Sequence, residues 1–384
     1  MIPALERTYG FEPAPAGADI RALETPFPLV DVDIAERNLS SLQERCHARG
    51  LANRPHIKTH KAPYWALRQL ALGAVGLTCQ TLREAEVMGD AGVRDILIPY
   101  NIVGERKLAR LAALARRAAI ATGADSAIVV AGLSAAATAV EATLDVLVEC
   151  DTGLGRCGVK SPEAALALAA IIAKTPGLRF GGLFTYPAPG SRLASAEFLS
   201  RAKALCEAQG LPVRVVSSGG TPDLGSEAGL EAINEYRAGT YIYNDRSLIA
   251  RGACAEADCA LSVLATVVSR QSPGRAIVDA GSKALTTDLL GFSDYGLVRN
   301  HPNLRISRLD EEHGYLDQAE GELKLEVGDR VAIIPNHACV VSNLFDRVAL
   351  VRGTELLGFV RVEARGRVDW ANAGDLLRDA NPAA

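Results

Sequence analysis

Residues 76–100 read GLTCQTLREAEVMGDAGVRDILIPY, and this stretch decides the fold class. A short apolar segment, GLTC, is followed by a segment with the apolar spacing of a helix, and then by a second apolar segment, DILIPY. Strands that read as continuous apolar runs and are joined by a helix are typical of a parallel sheet that helices cover on both faces. The stretch therefore predicts one strand–helix–strand unit.

The same unit recurs along the first two thirds of the chain. PLVDVD (28–33) precedes a helical stretch, and further strands are predicted near 119–122, 145–150, 180–186 and 213–218. Eight or nine such units fit before residue 245. That number favours an α/β fold of the (β/α)8 TIM-barrel type over an open, doubly wound sheet.

The pattern changes after about residue 255, where β-type segments alternate with Gly, Pro and Asp turns. We therefore divide the chain into an N-terminal segment (1–24) that packs with the β-rich domain, a barrel (25–250) and a C-terminal β-rich domain (251–384). One helical stretch, WANAGDLLRD, is predicted near the end of that domain.

Composition excludes several classes of protein. Among 384 residues, 48% are hydrophobic and the net charge is −4, so a large core is expected and a nucleic-acid partner is not. No apolar run has the length of a signal peptide or a membrane span, which predicts a cytoplasmic protein without a membrane partner. The eight cysteines include no CxxC pair and are interpreted mostly as buried thiols.

Residues whose side chains can take part in catalysis or binding follow several of the predicted strands. His56 and Lys58 end the strand in RPHIKTHKA (54–62), and Gln80, Arg156 and Tyr186 follow other strands. In a barrel, the active site lies at these strand ends. A lysine there can form a Schiff base if its amine is kept deprotonated, and the alternative is an ordinary solvated amine.

Two turns of small residues end the last barrel units, SSGGTP (217–222) and the AGTY part of RAGTYIYND (237–245). Such turns expose backbone N–H groups and suit a phosphate, although many turns of this kind bind nothing. Barrels often hold phosphate after strands seven and eight. A phosphate site together with a strand-end lysine suggests pyridoxal 5'-phosphate as the cofactor.

A candidate metal site lies in PNHACVVSNLFD (335–346). His337 and Cys339 are two apart on a predicted strand, so their side chains share a face and can bind a metal such as Zn²⁺. The alternative is a core cysteine beside a hydrogen-bonded histidine. EEHG (311–314) offers another histidine, His313, in a turn.

Taken together, these motifs resemble a known family. From about residue 25 to 367, the chain is similar to the fold-type III pyridoxal-phosphate enzymes of the D-threonine aldolase and D-serine dehydratase group, which have the alanine racemase architecture. The motifs that carry the resemblance are RPHIKTHK, GAVGLTCQTLREAE, ECDTGLGRCGV, SSGGTP, RAGTYIYND, VDAGSKA, EEHG and PNHAC.

The resemblance implies roles for particular residues. Lys58 forms the Schiff base with the cofactor, Arg156 faces its pyridine nitrogen, and His337 and Cys339 bind a divalent metal, with Zn²⁺ favoured over Mn²⁺ or Mg²⁺ by the cysteine. It also implies a homodimer in which the partner's β-rich domain completes the site. The other residues implied to surround the cofactor are His56, Gln80, Tyr186, Ser218, Gly219, Gly220, Gly239, Thr240 and Tyr241.

The implied substrate is a small D-configured 3-hydroxy amino acid, and the reaction predicted here is aldol cleavage to glycine and an aldehyde. The HxC motif resembles the dehydratases, whereas NLFD, CGV and VEARGR resemble the aldolases. Pro187 stands where the aldolases carry a histidine, so His60 or His313 is the candidate proton carrier. The alternatives are a dehydratase that releases a keto acid and ammonia, an amino-acid racemase and a non-catalytic cofactor-binding protein.

Overall fold

The structure is a computed structural model that describes residues 9–188 and 190–366. The predicted helix WANAGDLLRD lies outside the described residues. Within them the chain forms a barrel of parallel strands and a second, mainly antiparallel sheet. No helix in the described ranges has both the length and the apolar character to cross a membrane.

The N-terminal part of the described chain joins the β-rich domain. Strands β1 (Phe11–Pro13) and β2 (Phe27–Asp31) pair there with strands from the C-terminal third, and helix α1 (Val32–Ala48) then leads to the barrel. Our assignment of residues 25–31 to the barrel was therefore wrong. The apolar run of β2 marks it as a buried strand, but its partners are more than 200 residues away in sequence and cannot be read from local pattern.

Eight parallel strands form the barrel, as predicted. Their order is β3-β10-β9-β8-β7-β6-β5-β4, and a bridge between His56 and Thr78 joins its two ends. The strands are β3 (Ala52–Asn53), β4 (Leu77–Thr78), β5 (Asp95–Asn101), β6 (Ala119–Ala124), β7 (Leu144–Glu149), β8 (Leu178–Phe184), β9 (Val215–Ser218) and β10 (Glu235–Tyr236).

Helices follow the barrel strands and cover the outside of the barrel. They are α2 (Pro63–Ala71), α3 (Leu82–Asp90), α4 (Glu105–Ala115), α5 (Ala127–Ala139), α6 (Pro162–Lys174), α7 (Arg192–Ala208) and α8 (Arg246–Ala250). Local sequence sets where α3 begins, because Thr81 and Glu84 form a capping box around its first turn. The loops at the carboxyl ends of the strands are thereby fixed between rigid elements.

The β-rich domain contains a closed barrel of six antiparallel strands, β11-β12-β15-β14-β13-β16, in which β16 pairs back with β11. The remaining strands extend from β11 in the order β2, β17, β18 and β1. The elements are β11 (Leu261–Ser272), β12 (Arg275–Val278), α9 (Ser282–Leu285), β13 (Gly296–Val298), β14 (Leu304–Leu309), β15 (Gly314–Gln318), β16 (Arg330–Pro335), α10 (Ala338–Leu344), β17 (Arg347–Arg352) and β18 (Glu355–Arg361).

Candidate active site

A cavity of about 330 Å³ opens at the carboxyl ends of the barrel strands, beside α10 of the β-rich domain. Its volume is within the range of small-molecule binding sites. Both domains contribute side chains to it. Its lining residues include His56, Lys58, Gln80, Arg156, Tyr186, Gly220, Thr221, Arg237, Gly239, Thr240, Asp245, Leu248, Arg251, Leu290, His337 and Cys339.

Lys58 lines this cavity, but it lies in a turn just after the bridge residue His56 rather than in a strand. Lys61 takes a different direction. Its backbone has a positive φ of 50°, and its Nζ lies 2.9 Å from Oδ1 of Asn343 and 3.4 Å from Oε1 of the buried Glu84. Of the two lysines in RPHIKTHKA, Lys58 therefore presents its amine to the cavity, and Lys61 is a buried structural cation.

His56 is held next to Lys58 as a neutral imidazole. The backbone N–H of Lys58 donates to its Nδ1 at 3.4 Å, and its Nε2 lies 3.0 Å from Oε1 of Gln80. These contacts fit a ring with its proton on Nε2. Burial, reinforced by the charge of Lys58, holds the pKa of His56 well below its usual value. His56 thus offers a flat, uncharged ring to a bound ligand.

Three arginines line the cavity, Arg156, Arg237 and Arg251, and the sequence analysis identified only Arg156. Arg156 is exposed, and its Cζ lies 5.7 Å from the ring centroid of Tyr186, which Lys58 Nζ approaches at 5.9 Å. Arg237 is buried and donates to Ser217 Oγ at 2.8 Å and to a backbone carbonyl at 2.7 Å. Arg237 begins RAGTYIYND, so its place directly after a strand was the signal that could have revealed it.

The two small-residue turns meet at one wall of the cavity. Gly220, Thr221, Gly239 and Thr240 line it, and within the described ranges no protein acceptor is assigned to the backbone N–H groups of Gly220, Gly239 and Thr240. A Cβ on Gly239 would lie 3.0 Å from the carbonyl oxygen of His56, a tight contact that a larger residue could make only if the neighbouring backbone shifted slightly. Unpaired backbone donors at a polar wall fit a phosphate group.

Three residues predicted near the cofactor do not line this cavity. Ser218 and Gly219 face a separate small pocket, and Gly219 has a positive φ of 101° that shapes the turn. The side chain of Tyr241 is buried, and its hydroxyl accepts a hydrogen bond from the Gln69 amide at 3.0 Å. These residues support the turns from behind.

The candidate metal ligands come together at a corner of the backbone and not on a strand. β16 ends at Pro335, His337 precedes α10, and Cys339 lies in the first turn of that helix, so the prediction of a shared strand was wrong. Pro335 cannot donate a further ladder hydrogen bond, which is consistent with the end of the strand there. The imidazole of His337 and the thiol of Cys339 still hydrogen bond to each other.

Without a metal, these two side chains carry opposite charges, and a divalent cation would take the place of the imidazolium proton. Burial opposes charge on both groups, but the hydrogen bond to Cys339, its charge and a second bond to Asp288 raise the pKa of His337 to about 9. The same hydrogen bond and charge hold the pKa of Cys339 below its usual value, against the effect of burial. An imidazole and a thiolate in contact are a donor set that Zn²⁺ accepts, with other positions left for water or substrate.

Neither histidine proposed as a proton carrier reaches the cavity from within the described chain. His60 is fully buried, accepts a hydrogen bond from the N–H of Ala62 and pairs with Gln69 at 3.3 Å. Burial lowers the pKa of His60 to about 4. His313 is exposed in the turn between β14 and β15 and is not among the lining residues. His60 is a structural core histidine.

Asp125, Glu149 and Cys157 form a second group of possible metal donors behind Arg156. Glu149 is buried, and this raises the pKa of Glu149 to about 7. The positive charges of Arg156 and Arg237 both favour the ionised form of Glu149, so they would repel a cation bound there. We assign no metal to this group.

Comparisons with known proteins agree with this architecture. The family model "Alanine racemase, N-terminal domain" matches residues 30–247, and the model "Putative serine dehydratase domain" matches residues 260–351. A D-threonine aldolase from Arthrobacter sp is 35% identical over 369 residues, covering 92% of this chain and 96% of that protein. The D-threo-3-hydroxyaspartate dehydratase of Delftia sp. (strain HT23) is 36% identical over 361 residues, covering 84% and 93%.

The structural comparison leads to the same class. The crystal structure of D-threonine aldolase from Filomicrobium marinum superposes with a TM-score of 0.85 at 34% identity, covering 92% of this chain and 99% of that one. The fold and the site define a lyase with the alanine racemase-like architecture. The chain belongs to the family that contains D-threonine aldolase and D-threo-3-hydroxyaspartate dehydratase.

Proposed function

We propose that this chain is a pyridoxal 5'-phosphate- and divalent-metal-dependent lyase that cleaves a D-3-hydroxy amino acid between Cα and Cβ, releasing glycine and an aldehyde. The observation that carries the proposal is the meeting of Lys58 with His337 and Cys339 around one cavity. A strand-end amine from the barrel and two metal donors from the β-rich domain thus face the same bound molecule.

Different residues of the cavity have different roles in this proposal. The turns at Gly220 and Gly239 hold the phosphate by backbone N–H groups, and Lys58 holds the cofactor through its amine. When bound, the cofactor supplies an electron sink for the carbanion left at Cα. Of the three cavity arginines, the buried Arg237 is the best candidate for a fixed cation against the cofactor ring, because the hydrogen bonds that it donates to Ser217 and Thr185 hold its guanidinium in place.

His337 and Cys339 would hold the metal, which would lower the pKa of the substrate's 3-hydroxyl so that its proton can pass to a base or to solvent. Lys58 is the one amine among the lining residues that the structure describes, so we assign to it the proton transfers at Cα once it is released. The proposal gives His60 no part in the chemistry, because its two ring nitrogens are already paired inside the core.

The experiment is product analysis on purified enzyme supplied with cofactor and Zn²⁺. D-Threonine and D-threo-3-hydroxyaspartate are offered separately, and glycine plus aldehyde is measured against keto acid plus ammonia. Glycine formation supports the proposed cleavage. Racemised substrate without either product pair would contradict the assignment as a lyase.

Dehydration is the second candidate reaction, and Cys339 is the observation that favours it. The HxC pair resembles the metal site of the dehydratases, and the chain is 36% identical to a D-threo-3-hydroxyaspartate dehydratase. In that reaction Lys58 removes the Cα proton and the 3-hydroxyl leaves. Keto acid and ammonia as the sole products would establish it in place of aldol cleavage.

The proposal includes a cytoplasmic homodimer that uses Zn²⁺. The support for Zn²⁺ is the cysteine ligand, which hard cations such as Mg²⁺ accept poorly. The support for the dimer is the family resemblance, and His313 remains a candidate proton carrier only if a second copy brings it to the cavity. Metal analysis of the purified protein tests the use of Zn²⁺, and its molecular mass in solution tests the homodimer.

A further inference from the structure

His337 has a carboxylate partner in addition to the nearby Cys339 thiol. Oδ2 of Asp288, in the loop after α9, lies 2.7 Å from Nδ1 of His337. A carboxylate at this distance accepts a hydrogen bond, so the ring proton belongs on Nδ1. When a metal displaces the other ring proton, the lone pair of Nε2 becomes available to it, and the Nδ1–H tautomer is the one that binds a metal through Nε2.

The loop that carries Asp288 is itself fixed at this position. The N–H of Asp288 donates to Oγ1 of Thr286 at 3.1 Å, and its carbonyl oxygen accepts from Nδ2 of Asn336 at 3.2 Å. Asn336 is fully buried, and the same amide donates to the carbonyl oxygen of Asp294 at 2.7 Å. Because Asn336 directly precedes His337, the carboxylate and the imidazole are anchored to one piece of backbone.

A second carboxylate fixes the start of the helix. Oδ2 of Asp245 accepts the N–H of Ala338 at 3.0 Å, while its Oδ1 caps α8 by accepting from Ser247 and Leu248. Asp245 is almost fully buried. With the backbone of α10 held in this way, the orientation of the His337 ring is the remaining freedom, and Asp288 is the group that restrains it.

We propose that Asp288 is a positioning residue for the metal site: its carboxylate holds His337 in the Nδ1–H tautomer and turns Nε2 towards the space shared with Cys339. This inference rests on the proposed function, because it requires that His337 and Cys339 bind a metal. Asp288 contacts neither the substrate nor the metal in this assignment. Carboxylates that hold metal-binding histidines commonly contribute 10- to 100-fold to metal affinity.

The test is the Zn²⁺ affinity of the full-length, cofactor-loaded protein, measured by competition with a chelator. Asp288→Ala removes the acceptor and should weaken Zn²⁺ binding by about 10- to 100-fold. Asp288→Asn keeps an oxygen that accepts from Nδ1 and should lose less affinity than the alanine variant. Glu312→Gln is the matched control, because Glu312 is an exposed carboxylate that pairs with Lys283 of α9 on the surface.

Thermal unfolding of the metal-free proteins separates positioning from a general structural role. Unchanged Zn²⁺ affinity in Asp288→Ala, with or without a lower Tm, would overturn the proposal. A loss in Asp288→Asn as large as that in Cys339→Ala would also overturn it, because Asp288 would then be a ligand. If wild-type protein binds Zn²⁺ no better than Cys339→Ala, the metal site of the proposed function fails, and this inference fails with it.

Discussion

The side-chain oxygen of Thr59 lies 3.1 Å from the sulfur of Cys339, although the two residues are 280 positions apart. Thr59 directly follows Lys58 and is fully buried. A second hydroxyl, that of Thr240, lies 3.6 Å from the same sulfur. The turn that contains Lys58, the turn at Thr240 and helix α10 are therefore in direct contact, so packing would set the distance between the proposed cofactor and metal sites.

Thr59→Val tests this contact. The change keeps the shape of the side chain and removes the hydroxyl that supports the Cys339 thiolate. A hydrogen bond to a charged group contributes about 1.5 kcal/mol or more, so Zn²⁺ affinity should fall about tenfold. Thr59→Ser keeps the hydroxyl and should bind Zn²⁺ like the wild type. Equal affinity in the two variants would show that the hydroxyl does not support the sulfur.

The two lysines of RPHIKTHKA should respond in opposite ways to substitution. Lys58→Ala should abolish the absorbance band of the covalently held cofactor and leave the stability of the cofactor-free protein nearly unchanged. Lys61→Ala should keep that band and lower the free energy of unfolding by about 3 kcal/mol, because the buried Glu84 loses its ion-pair partner. Absorbance and urea unfolding measure the two effects. Loss of the band in Lys61→Ala alone would reverse the assignment.

The barrel was predictable because its signal is local. Each strand–helix unit contains its own periodicity and turn residues, as in residues 76–100. The strand β2 was assigned to the wrong sheet because pairing with β11 and β17 depends on contacts far along the chain. A buried strand looks the same in either sheet, so its apolar run could not decide between them.

The site shows the same division between local and non-local information. The positions of Lys58 and of the glycine turns at strand ends could be predicted, since barrel topology brings those ends together. The burial of Arg237 could not be predicted, because it depends on hydrogen-bond acceptors at the ends of two other strands, Ser217 and Thr185. His60 was misjudged for a similar reason, since its partner Gln69 lies in α2.

Cys339→Asp should change the metal preference of the site. A carboxylate is a harder ligand than a thiolate, so the variant should bind Zn²⁺ less tightly relative to Mn²⁺ or Mg²⁺. Competition between Zn²⁺ and Mn²⁺ measures the ratio of the two affinities directly, and His337→Ala should lower both. An unchanged ratio in Cys339→Asp would mean that Cys339 is not a ligand.

His60 should make the protein sensitive to mild acid. Its pKa is lowered from 6.5 to about 4 by burial, so between these values the unfolded chain binds a proton that the folded chain excludes. The contribution to stability is therefore constant above about pH 6.5 and falls as the pH drops towards 4, by roughly 3 kcal/mol in total. Above neutral pH, the titration of His60 should not change the free energy of unfolding.

His60→Asn isolates this effect. Asparagine can still accept from the N–H of Ala62 through its side-chain oxygen, but it does not titrate. The variant should be less stable than the wild type at pH 8 because the ring volume is lost, yet its free energy of unfolding should fall less between pH 6.5 and pH 4.5. His56 is also buried with a lowered pKa, so part of the acid sensitivity should persist. Urea unfolding at several pH values measures how the free energy of unfolding depends on pH in the wild type and in the variant. The same pH dependence in both would show that His60 takes up a proton in the folded protein as readily as in the unfolded chain.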